Sequence, residues 1–428
     1  MITDRVLRSR VIVVSAGFHK THETTAAHEA SVRGLLRLCI TGAYPTERIK
    51  RVVRALGLAE KGRIARLLDR DEGIPQHELR PLFVPELLDE LAAILGRLPL
   101  ISRVEPQLRA LSWRLYGWLA ARQLSRADEA RIYHYRAGFG QSSVARAKQF
   151  GMVTLCDRSL AHPDLLDQLI DRRGKMPTED EDHGQPMPPS RDPIERAILA
   201  DIDGADAVLV NSDFVKRTFL VRGWAPDRIH LVYLGVDDNF LRGIPPEPRR
   251  VTAGGLRLLF AGRFERRKGA ETLIEALSGL QDVEWELNIA GPVPDDIRIG
   301  NEVFLDDHRV KLLGTLRRRD LRREMLSAPI FVFPSFAEGS ARVVFEAMAC
   351  GCYVITTPNS GSIVEDGIHG ALVAPWDVRG LREAIARAEG DRPLLAEIGN
   401  RNSRLVAEHY TQSDYGDALA ALYRELSG

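Results

Sequence analysis

The chain has 428 residues, of which 44% are hydrophobic and 28% are charged. At about 100–200 residues per domain, this length predicts two or three domains, and the composition excludes a disordered protein. The 59 basic and 59 acidic residues cancel, which argues against a nucleic-acid-binding protein. No segment approaches the ~18 consecutive apolar residues of a membrane span, and the short apolar run after the basic N-terminus is better explained as a buried strand than as a signal peptide. Four cysteines are too few for a disulfide framework, so a cytoplasmic protein is expected.

Apolar runs in the first half of the chain predict strands separated by helices. The predicted strands are residues 11–17, 130–137, 152–157, 207–212 and 230–235. Between the first two lies a long insert, about 40–125, with mainly helical periodicity, and residues 171–193 are rich in proline and charge, as in a mobile surface loop. The Pro- and Gly-rich residues 241–255 predict the boundary between an N-terminal domain, 1–243, and a C-terminal domain, 244–428.

The second half alternates more regularly between strands and helices. Its predicted strands are residues 256–262, 284–291, 310–316, 330–335 and 353–357, and its predicted helices are near 269–279, 318–327, 341–350, 378–389, 393–408 and 413–426. Continuous apolar strands separated by helices favour a parallel sheet that is covered on both faces. The sequence therefore predicts an α/β protein of two doubly wound, Rossmann-like domains facing each other across a cleft, with ligands bound at the carboxyl ends of the strands.

The first candidate binding residues lie in the turn after the first strand of the second half. Arg263 and Lys268 flank this turn, and a helix is predicted to begin near Gly269. A strand end, two cations and a helix N-terminus together are typical of an anion-binding site. A solvated basic turn, which would also include Arg266 and Arg267, is the alternative interpretation.

A second candidate group lies around the start of the helix predicted at 341–350. Glu338 and Gly339 lie in the preceding loop, Ser340 is a candidate N-cap, and Glu346 lies nearly two turns into the helix. A carboxylate in that position can bind both hydroxyls of a ribose. Gly339 would let a ligand approach the backbone, and the amides at the start of the helix suit a phosphate. For Glu346 alone, a solvated helix residue is the alternative.

These two groups resemble the motifs of the family-four retaining glycosyltransferases, which have the GT-B fold. The Gly-Arg-x(4)-Lys-Gly pattern of that family corresponds to residues 262–269 here, and its Glu-x(7)-Glu pattern corresponds to Glu338 and Glu346. The Glu-Ala-Met-Ala-x-Gly run of the family follows at 346–351. The resemblance covers residues 200–428 well and the first 200 residues only thinly.

The resemblance implies transfer of a sugar from a nucleotide-sugar, which is the donor substrate and not a cofactor, to a glycan or lipid-linked acceptor in cell-surface polysaccharide or glycolipid synthesis. Arg263 and Lys268 would hold the donor diphosphate, Glu338 would lie against the donor sugar, Glu346 would bind the ribose, and the backbone at Gly17 would approach the donor phosphates. Two fixed cations stabilise the charge that develops on a leaving diphosphate. The family's front-face attack retains configuration without a protein nucleophile, and its last helix crosses back to the N-terminal domain.

The chain departs from the family pattern at two places. Many members have a Gly-Gly-x-x-Glu element, whereas this chain has Ser362 at the place of the Glu; the loop is still expected to close the cleft. The N-terminal strand that often ends in a His near the donor sugar ends here at Asp157, and His162 follows five residues later. Asp157 and His162 are therefore candidate catalytic residues, with a structural role as the alternative for His162. The residues that follow the preceding strand either face the acceptor or pack in the core: His134, Tyr135 and Arg136.

Two other patterns were considered as metal sites. Asp201-x-Asp203 matches the metal-binding pattern of the other large glycosyltransferase fold, but it lies at the end of a predicted helix rather than at the end of a strand. Cys350-x-Cys352 lacks the second pair of ligands that a structural zinc site requires. The sequence therefore predicts no metal and no other cofactor.

One segment is distinctly basic. Residues 31–70 contain ten Lys or Arg and three acidic residues, and Ile49, Val52, Val53 and Leu56 add an apolar stripe. This pattern predicts peripheral contact with an anionic membrane or with a lipid-linked acceptor. A helix that packs on the N-terminal domain and leaves a basic face in solvent is the alternative.

The sequence leaves two other functions open: a nucleotide-sugar epimerase of the same fold and a non-catalytic nucleotide-sugar-binding protein. The set of Arg263, Lys268, Glu338 and Glu346 argues against the epimerase, and a binding protein does not need to stabilise a leaving group. A dinucleotide oxidoreductase is disfavoured because neither first strand is followed by Gly-x-Gly-x-x-Gly. The sequence favours a metal-independent glycosyltransferase.

Overall fold

The fold is built on two parallel β-sheets. It is seen in a computed structural model that describes residues 11–19, 21–57, 67–68, 70–96, 102–127, 129–171, 176, 192–245, 256–281 and 283–428. Within these ranges every strand pairs with its neighbours in parallel, and helices connect the strands. The predicted α/β class is therefore confirmed.

The first sheet has seven strands in the order β3-β2-β1-β4-β5-β6-β7. Its strands are Ile12–Ser15 (β1), Leu36–Thr41 (β2), Leu79–Pro81 (β3), Ile132–Arg136 (β4), Val153–Arg158 (β5), Ala207–Val210 (β6) and Ile229–Leu231 (β7). Successive side chains of a strand point to opposite faces. Val13 accordingly packs in one hydrophobic core, whereas Ile12 and Val14 pack in another. Both faces of this sheet are therefore buried, as its continuous apolar runs predict.

The second sheet has six strands in the order β10-β9-β8-β11-β12-β13. Its strands are Leu256–Ala261 (β8), Trp285–Ala290 (β9), Val310–Leu312 (β10), Ile330–Phe333 (β11), Tyr353–Thr356 (β12) and Gly370–Leu372 (β13). The strand order reverses between β8 and β11, and doubly wound sheets bind ligands beside such a reversal, at the carboxyl ends of the strands. The turn after β8 and the loop after β11 meet at this place.

Helices lie between the strands along the chain and follow the last strand. In the first half they are His22–Val32 (α1), Glu47–Ala55 (α2), Phe83–Leu95 (α3), Glu105–Leu124 (α4), Ser142–Gln149 (α5), Pro163–Asp171 (α6), Pro193–Asp203 (α7), Asp213–Val221 (α8) and Asp238–Leu241 (α9). In the second half they are Ala270–Ser278 (α10), Asp295–Arg298 (α11), Glu302–Leu305 (α12), Arg318–Ser327 (α13), Arg342–Ala349 (α14), Val378–Gly390 (α15), Arg392–His409 (α16) and Gln412–Ser427 (α17). Among the described residues, none of these helices is long and apolar enough to cross a bilayer.

The last helix returns to the first sheet. Tyr415, Leu419 and Tyr423 of α17 lie in the same hydrophobic core as Ile12 and Val14 of β1. A capping box at Thr411 and Asp414 fixes the start of this helix, because each side chain satisfies a backbone N–H of the other residue. The domain limits 1–243 and 244–428 stay a prediction, since residues 246–255 of the predicted boundary lie outside the described ranges.

Three strands were missed by the sequence prediction. The expected helical insert at 40–125 contains β3, and β2 ends inside it. The third missed strand, β13, is three residues long and lies at the edge of the second sheet. Most of the predicted loop at 171–193 lies outside the described residues.

Candidate functional site

A cavity of about 440 Å³ opens at the carboxyl edge of the second sheet. Its wall is formed by the turns after β8 and β9, the segment after β10, the loop after β11 and the first turns of α14. The residues that line it include five of the predicted site residues: Arg263, Lys268, Glu338, Ser340 and Glu346. Thr315 and Leu316, which follow β10, also line the cavity. Two motifs separated by about 70 residues thus form one site.

Glycines allow the two turns beside the cavity to approach each other. Gly262 has a φ of 123°, in the region that L-residues with side chains rarely occupy. A Cβ atom at position 291 would lie 1.8 Å from the carbonyl oxygen of Gly262, so only glycine fits there. Lys268 packs over the opening that Gly262 leaves, with Nζ 3.2 Å from the place of a Cβ. The backbone conformation and the packing of Lys268 therefore explain why the first residue of the family motif is glycine.

Lys268 and Glu338 face each other across the cavity wall. The distance from Lys268 Nζ to Glu338 Oε1 is 3.4 Å, and these side chains are 18% and 14% exposed. Arg267 also binds Glu338, with 2.8 Å between Nη1 and Oε1, and it donates to the carbonyl oxygen of Ala337 at 2.7 Å. The sequence prediction had placed Arg267 only in a solvated turn. In the structure this arginine holds the loop that carries Glu338.

Arg263 is the most exposed of the predicted diphosphate ligands. Its side chain is 56% exposed, and its one ion pair within the described part of the chain joins Nε to Glu265 Oε2 at 3.2 Å. An exposed arginine with one weak surface partner keeps the freedom to turn toward an anion in the cavity. Arg263 and Lys268 therefore lie as predicted beside the cavity, but neither is fixed by a bidentate pair.

Glu346 is buried in the cavity wall and pairs with an arginine that the sequence did not reveal. Arg318 Nη2 lies 2.6 Å from Glu346 Oε1, while the side chains are 50% and 12% exposed. Burial raises the pKa of Glu346, and the charge of Arg318 opposes that rise. The carboxylate therefore keeps a charge partner in a poorly hydrated place. Arg318 begins α13, 28 residues before Glu346, and only the fold brings the two together.

The start of α14 differs from the prediction. The helix begins at Arg342, and its N-cap is Ala341, which offers no side-chain hydrogen bond. Ser340 therefore lines the cavity but is not the N-cap. A Cβ on Gly339 would lie 1.6 Å from the carbonyl oxygen of Ser159, so this glycine is required for contact with the first half of the chain. The expected approach of a ligand to Gly339 stays a prediction.

The loop that carries Ser362 packs behind the Glu338 loop. The Glu338 N–H donates to the carbonyl oxygen of Asn359, and the Ala341 N–H donates to that of Ser360. Asn359 also donates to the carbonyl oxygen of Phe336. These bonds hold the Glu338 loop against the loop that carries Ser362. The expectation that this loop closes the cleft stays a prediction.

Asp157 lies in a buried network at the carboxyl edge of the first sheet. It accepts hydrogen bonds from His22 Nε2 at 2.9 Å and from His134 Nε2 at 3.1 Å. His134 in turn accepts from the Tyr423 hydroxyl at 2.8 Å. Burial opposes ionisation of Asp157, but the charge of His22 and the two hydrogen bonds hold its pKa well below the usual value. His134 is thus a packing residue rather than an acceptor ligand.

Gly17 and His162 do not offer the free groups that the prediction assumed. The Gly17 N–H donates to the Tyr116 hydroxyl at 3.1 Å, and its carbonyl accepts from the Gly42 N–H at 2.7 Å. A phosphate at Gly17 would have to displace Tyr116. His162 is 3% exposed and its ring packs edge-on against Phe219. The structure does not bring His162 to the cavity, which favours the structural alternative.

Asp201 of the Asp201-x-Asp203 pattern fixes a loop. Its carboxylate accepts from the backbone N–H groups of Gly138, Gly140 and Gln141 at 2.8, 2.7 and 2.5 Å. Burial raises the pKa of Asp201 to about 7, although these three donors favour the carboxylate. The acid therefore has a local structural partner for each oxygen.

Part of the second half of the chain matches a known protein family. Residues 255–391 match the profile of the family described as Glycosyl transferases group 1. The chain is 26% identical over 318 residues to a D-inositol 3-phosphate glycosyltransferase from Catenulispora acidiphila, with 69% of this chain and 72% of the relative covered. It is 29% identical over 256 residues to the protein of the same name from Mycolicibacterium paratuberculosis, with 56% of each chain covered. The chain thus spans only about half to 72% of these relatives' lengths.

The fold is shared over almost the whole chain with a solved structure. The Anabaena protein Alr3699/HepE, crystallised in complex with UDP, matches with a TM-score of 0.61 and 15% identity, covering 97% of this chain and 100% of the other. At this identity the match establishes the two-domain GT-B fold. The predicted fold is therefore confirmed, and the predicted family is confirmed for residues 255–391.

Proposed function

Because residues 255–391 belong to the family described as Glycosyl transferases group 1 and the chain has the GT-B fold, we propose that the protein transfers a sugar from a nucleotide-sugar in the second-sheet cavity to an acceptor held on the side of the first sheet. The transfer retains the configuration of the sugar and needs no metal ion at the diphosphate. The single observation that carries this proposal is the cavity in which Lys268, Glu338 and Glu346 share one wall. The whole reaction, from donor to acceptor, is proposed on that basis.

The charges around the cavity suit a leaving diphosphate. Cleavage of the bond between sugar and diphosphate places negative charge on the phosphate oxygens. Lys268 and Arg263 line the cavity at the helix-facing turn after β8, so they can stabilise that charge more strongly in the transition state than in the ground state. Since the cations are part of the protein, this chemistry requires no bridging metal.

The two glutamates are proposed to bind different parts of the donor. Glu338 lies 3.4 Å from Lys268, which supports a position of this carboxylate beside the bond between sugar and phosphate. Glu346 lies deeper and carries a charge partner in Arg318. A charged carboxylate is a strong acceptor for two ribose hydroxyls. The nucleotide part is therefore proposed to lie toward α13 and α14, with the sugar toward Glu338.

The acceptor is proposed to be a glycan or a lipid-linked sugar used in surface polysaccharide or glycolipid synthesis. The curated relatives named above act, by their names, on D-inositol 3-phosphate, so small phosphorylated acceptors occur in relatives. The UDP complex of the Anabaena protein supports a nucleoside diphosphate as the donor's leaving group. Cys39, Cys156, Cys350 and Cys352 are buried thiols, as suits the proposed cytoplasmic location.

Contact with an anionic membrane is proposed through a narrower surface than residues 31–70. Arg48, Arg51 and Arg54 of α2 are exposed, as are Val52 and Leu56. Other cations of the segment are engaged elsewhere: Arg33 with Glu29 and Asp417, Lys50 with Glu47 and Asp71, and Arg70 with Glu86. Val53 is buried, so the predicted apolar stripe is divided between the protein core and the surface. Residues 58–66 and 69 lie outside the described ranges.

Vesicle sedimentation tests the membrane contact. Three exposed cations should each add about 1 kcal/mol of attraction to an anionic surface, so Arg48→Gln/Arg51→Gln/Arg54→Gln should bind phosphatidylglycerol vesicles roughly a hundredfold more weakly. The matched control removes three exposed arginines near α13: Arg317, Arg319 and Arg323. Equal binding of both variants, or of the wild type to neutral vesicles, would contradict the proposal.

A transfer assay tests the function. The protein is incubated with a panel of nucleotide-sugars and with sugar or lipid-linked acceptors, products are identified by mass spectrometry, and the anomeric configuration is read by proton NMR. We expect one nucleotide class to be consumed, with a product of retained configuration that Glu338→Gln makes far more slowly. Isomerisation of the donor without transfer would indicate an epimerase. Donor binding without any turnover would indicate a binding protein.

A further inference from the structure

Three potential metal ligands from distant parts of the chain meet at the carboxyl edge of the first sheet. His22 and Glu23 begin α1, and Asp157 lies in β5, 135 residues away from His22. One ligand atom from each residue lies within 4.8 Å of the others. The three residues are called here the His22 cluster. They do not line the donor cavity.

Glu23 is the feature of the His22 cluster that its own contacts do not explain. The residue is 0% exposed, and neither carboxylate oxygen has a hydrogen-bond partner among the described residues. The nearest cations are His22 Nε2 at 3.4 Å and Arg136 Nε at 3.9 Å, both from Oε1. Burying a carboxylate without a donor is costly. A group that binds these oxygens is therefore expected.

The spacing of the His22 cluster fits one small cation. Nε2 of His22 lies 2.9 Å from Asp157 Oδ1 and 3.4 Å from Glu23 Oε1. Ligand atoms that each lie about 2.1 Å from a common ion are separated by about 3.0–3.4 Å in octahedral or tetrahedral geometry. Because Glu23 is completely buried, the space beside its carboxylate suits a single ion better than a sugar.

We propose that the His22 cluster binds one divalent first-row metal ion, with Zn²⁺ or Mn²⁺ as the probes. One imidazole and two carboxylates are a typical ligand set for these ions, whereas Mg²⁺ and Ca²⁺ prefer oxygen ligands alone. The metal would take the place of the proton that His22 now shares with Asp157. Arg136 is the one described cation near Glu23 that opposes it.

Asp157, one of the three proposed metal ligands, is held in place by residues outside the His22 cluster. His134 donates to the other carboxylate oxygen of Asp157 and accepts from Tyr423 of α17. Outer contacts of this kind fix ligand orientation in metal sites. A metal there would join the start of α1 to the end of β5. The carbonyl of Ser159, two residues beyond Asp157, contacts the Gly339 loop of the donor cavity, so the ion would hold the acceptor-side wall without taking part in bond cleavage.

The test begins with metal content. Protein purified without chelator is analysed by inductively coupled plasma mass spectrometry, then stripped, and titrated calorimetrically with Zn²⁺, Mn²⁺ and Mg²⁺. We expect about one equivalent of Zn²⁺ or Mn²⁺ per chain, weak Mg²⁺ binding, and a higher melting temperature with the bound ion. Glu23→Gln should weaken metal binding at least tenfold, as even outer-contact changes do in known sites.

The matched control is Glu86→Gln. Glu86 is also buried at the edge of the first sheet, but it accepts from the Ala43 N–H and from Arg70, so its loss should leave metal affinity unchanged. The affinity for uridine diphosphate is measured on the same samples and should not depend on the N-domain metal, which separates this inference from the proposed function.

Two results would overturn the metal site. One is a stripped wild-type protein that takes up no stoichiometric Zn²⁺ or Mn²⁺, which would leave a simple ion pair of His22 with Asp157. The other is Glu23→Gln binding metal as tightly as the wild type. If Glu23→Gln fails to fold, Co²⁺ is added to the stripped wild type and its visible absorption spectrum is recorded. Visible d–d bands that disappear when Zn²⁺ is added would support the site, and the absence of such bands would refute it.

Discussion

At the carboxyl edge of the second sheet, charged side chains surround an open cavity of about 440 Å³. At the corresponding edge of the first sheet, Asp157 and His134 are buried, His22 is partly buried, and both histidines are hydrogen-bonded to Asp157. The first arrangement leaves charges available for a ligand, whereas the second uses them to join elements of the fold. Strand ends of one type thus serve binding in one domain and positioning in the other.

The two edges also differ in how their residues are distributed along the sequence. The cavity uses two compact motifs, at 262–269 and 338–346, that each follow a strand directly. The first-sheet network joins residues from α1, β4, β5 and α17. A compact motif can be read from a sequence, but a network spread over 400 residues becomes visible only when the chain is folded.

The largest expected effect is on Lys268. Because Lys268→Ala removes a fixed cation from the leaving diphosphate, turnover should fall about 10²–10³-fold, or roughly 2.7–4 kcal/mol in barrier. Initial rates of nucleotide release measure it. Arg266→Ala is the matched control, since Arg266 is 51% exposed and, among the residues that the structure describes, forms an ion pair only with Glu271. Equal rates for both variants would move the diphosphate site away from the second-sheet cavity.

A smaller effect is expected when Asp201 is replaced. Asp201→Asn replaces one of the two acceptor oxygens by an N–H₂ group that faces a backbone donor. The free energy of unfolding should fall by about 1–3 kcal/mol, as measured by urea denaturation, while nucleotide affinity stays unchanged. Asp203 of the same pattern is exposed, so Asp203→Asn should change the free energy of unfolding by no more than about 0.5 kcal/mol. A metal-dependent rate that only Asp201→Asn abolishes would contradict the structural role.

The pH dependence of stability tests whether His162 is structural. Burial, with Arg222 and Arg158 nearby, lowers the pKa of His162 to about 3. Below pH ~6.5, His162 therefore binds a proton in the unfolded chain but not in the folded chain. The free energy of unfolding accordingly falls as the pH decreases below that value. Between pH 7 and 5 the wild type should lose about 2 kcal/mol more than His162→Gln.

Urea denaturation at the two pH values measures this difference. His308→Gln is the control, because the His308 side chain is 91% exposed and its removal should leave the pH slope unchanged. If the wild type and His162→Gln have the same slope, His162 is accessible to protons, and a role in the cleft returns to consideration.

The sequence allowed prediction of the second domain almost element by element. Helix α13 was predicted with the observed limits, because strong periodicity and continuous apolar strands define this half. The roles of Arg267 and Arg318 were not predictable, since their partners lie 71 and 28 residues away. Nothing in a run of arginines marks which of them turns inward.

The first domain was harder for physical reasons. Its edge strand β3 has three residues, and so does β13 at the edge of the second sheet. Three residues are too few for a hydrophobic pattern to show. β2 carries Arg37 and Cys39 within its six residues, so its alternation is weak. Gly17 and Gly339 were recognised as special, but their actual neighbours, Tyr116 and Ser159, come from other elements. Sequence alone located these positions without showing what they contact.

The most direct test of the central claim is calorimetric titration of the wild type and of Glu346→Gln with a panel of nucleoside diphosphates. We expect one nucleotide to bind the wild type with micromolar or tighter affinity. Glu346→Gln should bind that nucleotide about tenfold to a hundredfold more weakly, since hydrogen bonds to a charged group contribute roughly 1.5–3 kcal/mol. The variant should also keep the wild-type melting temperature to within a few degrees. Unchanged affinity in a folded Glu346→Gln protein would show that the second-sheet cavity does not hold the ribose and would contradict the account.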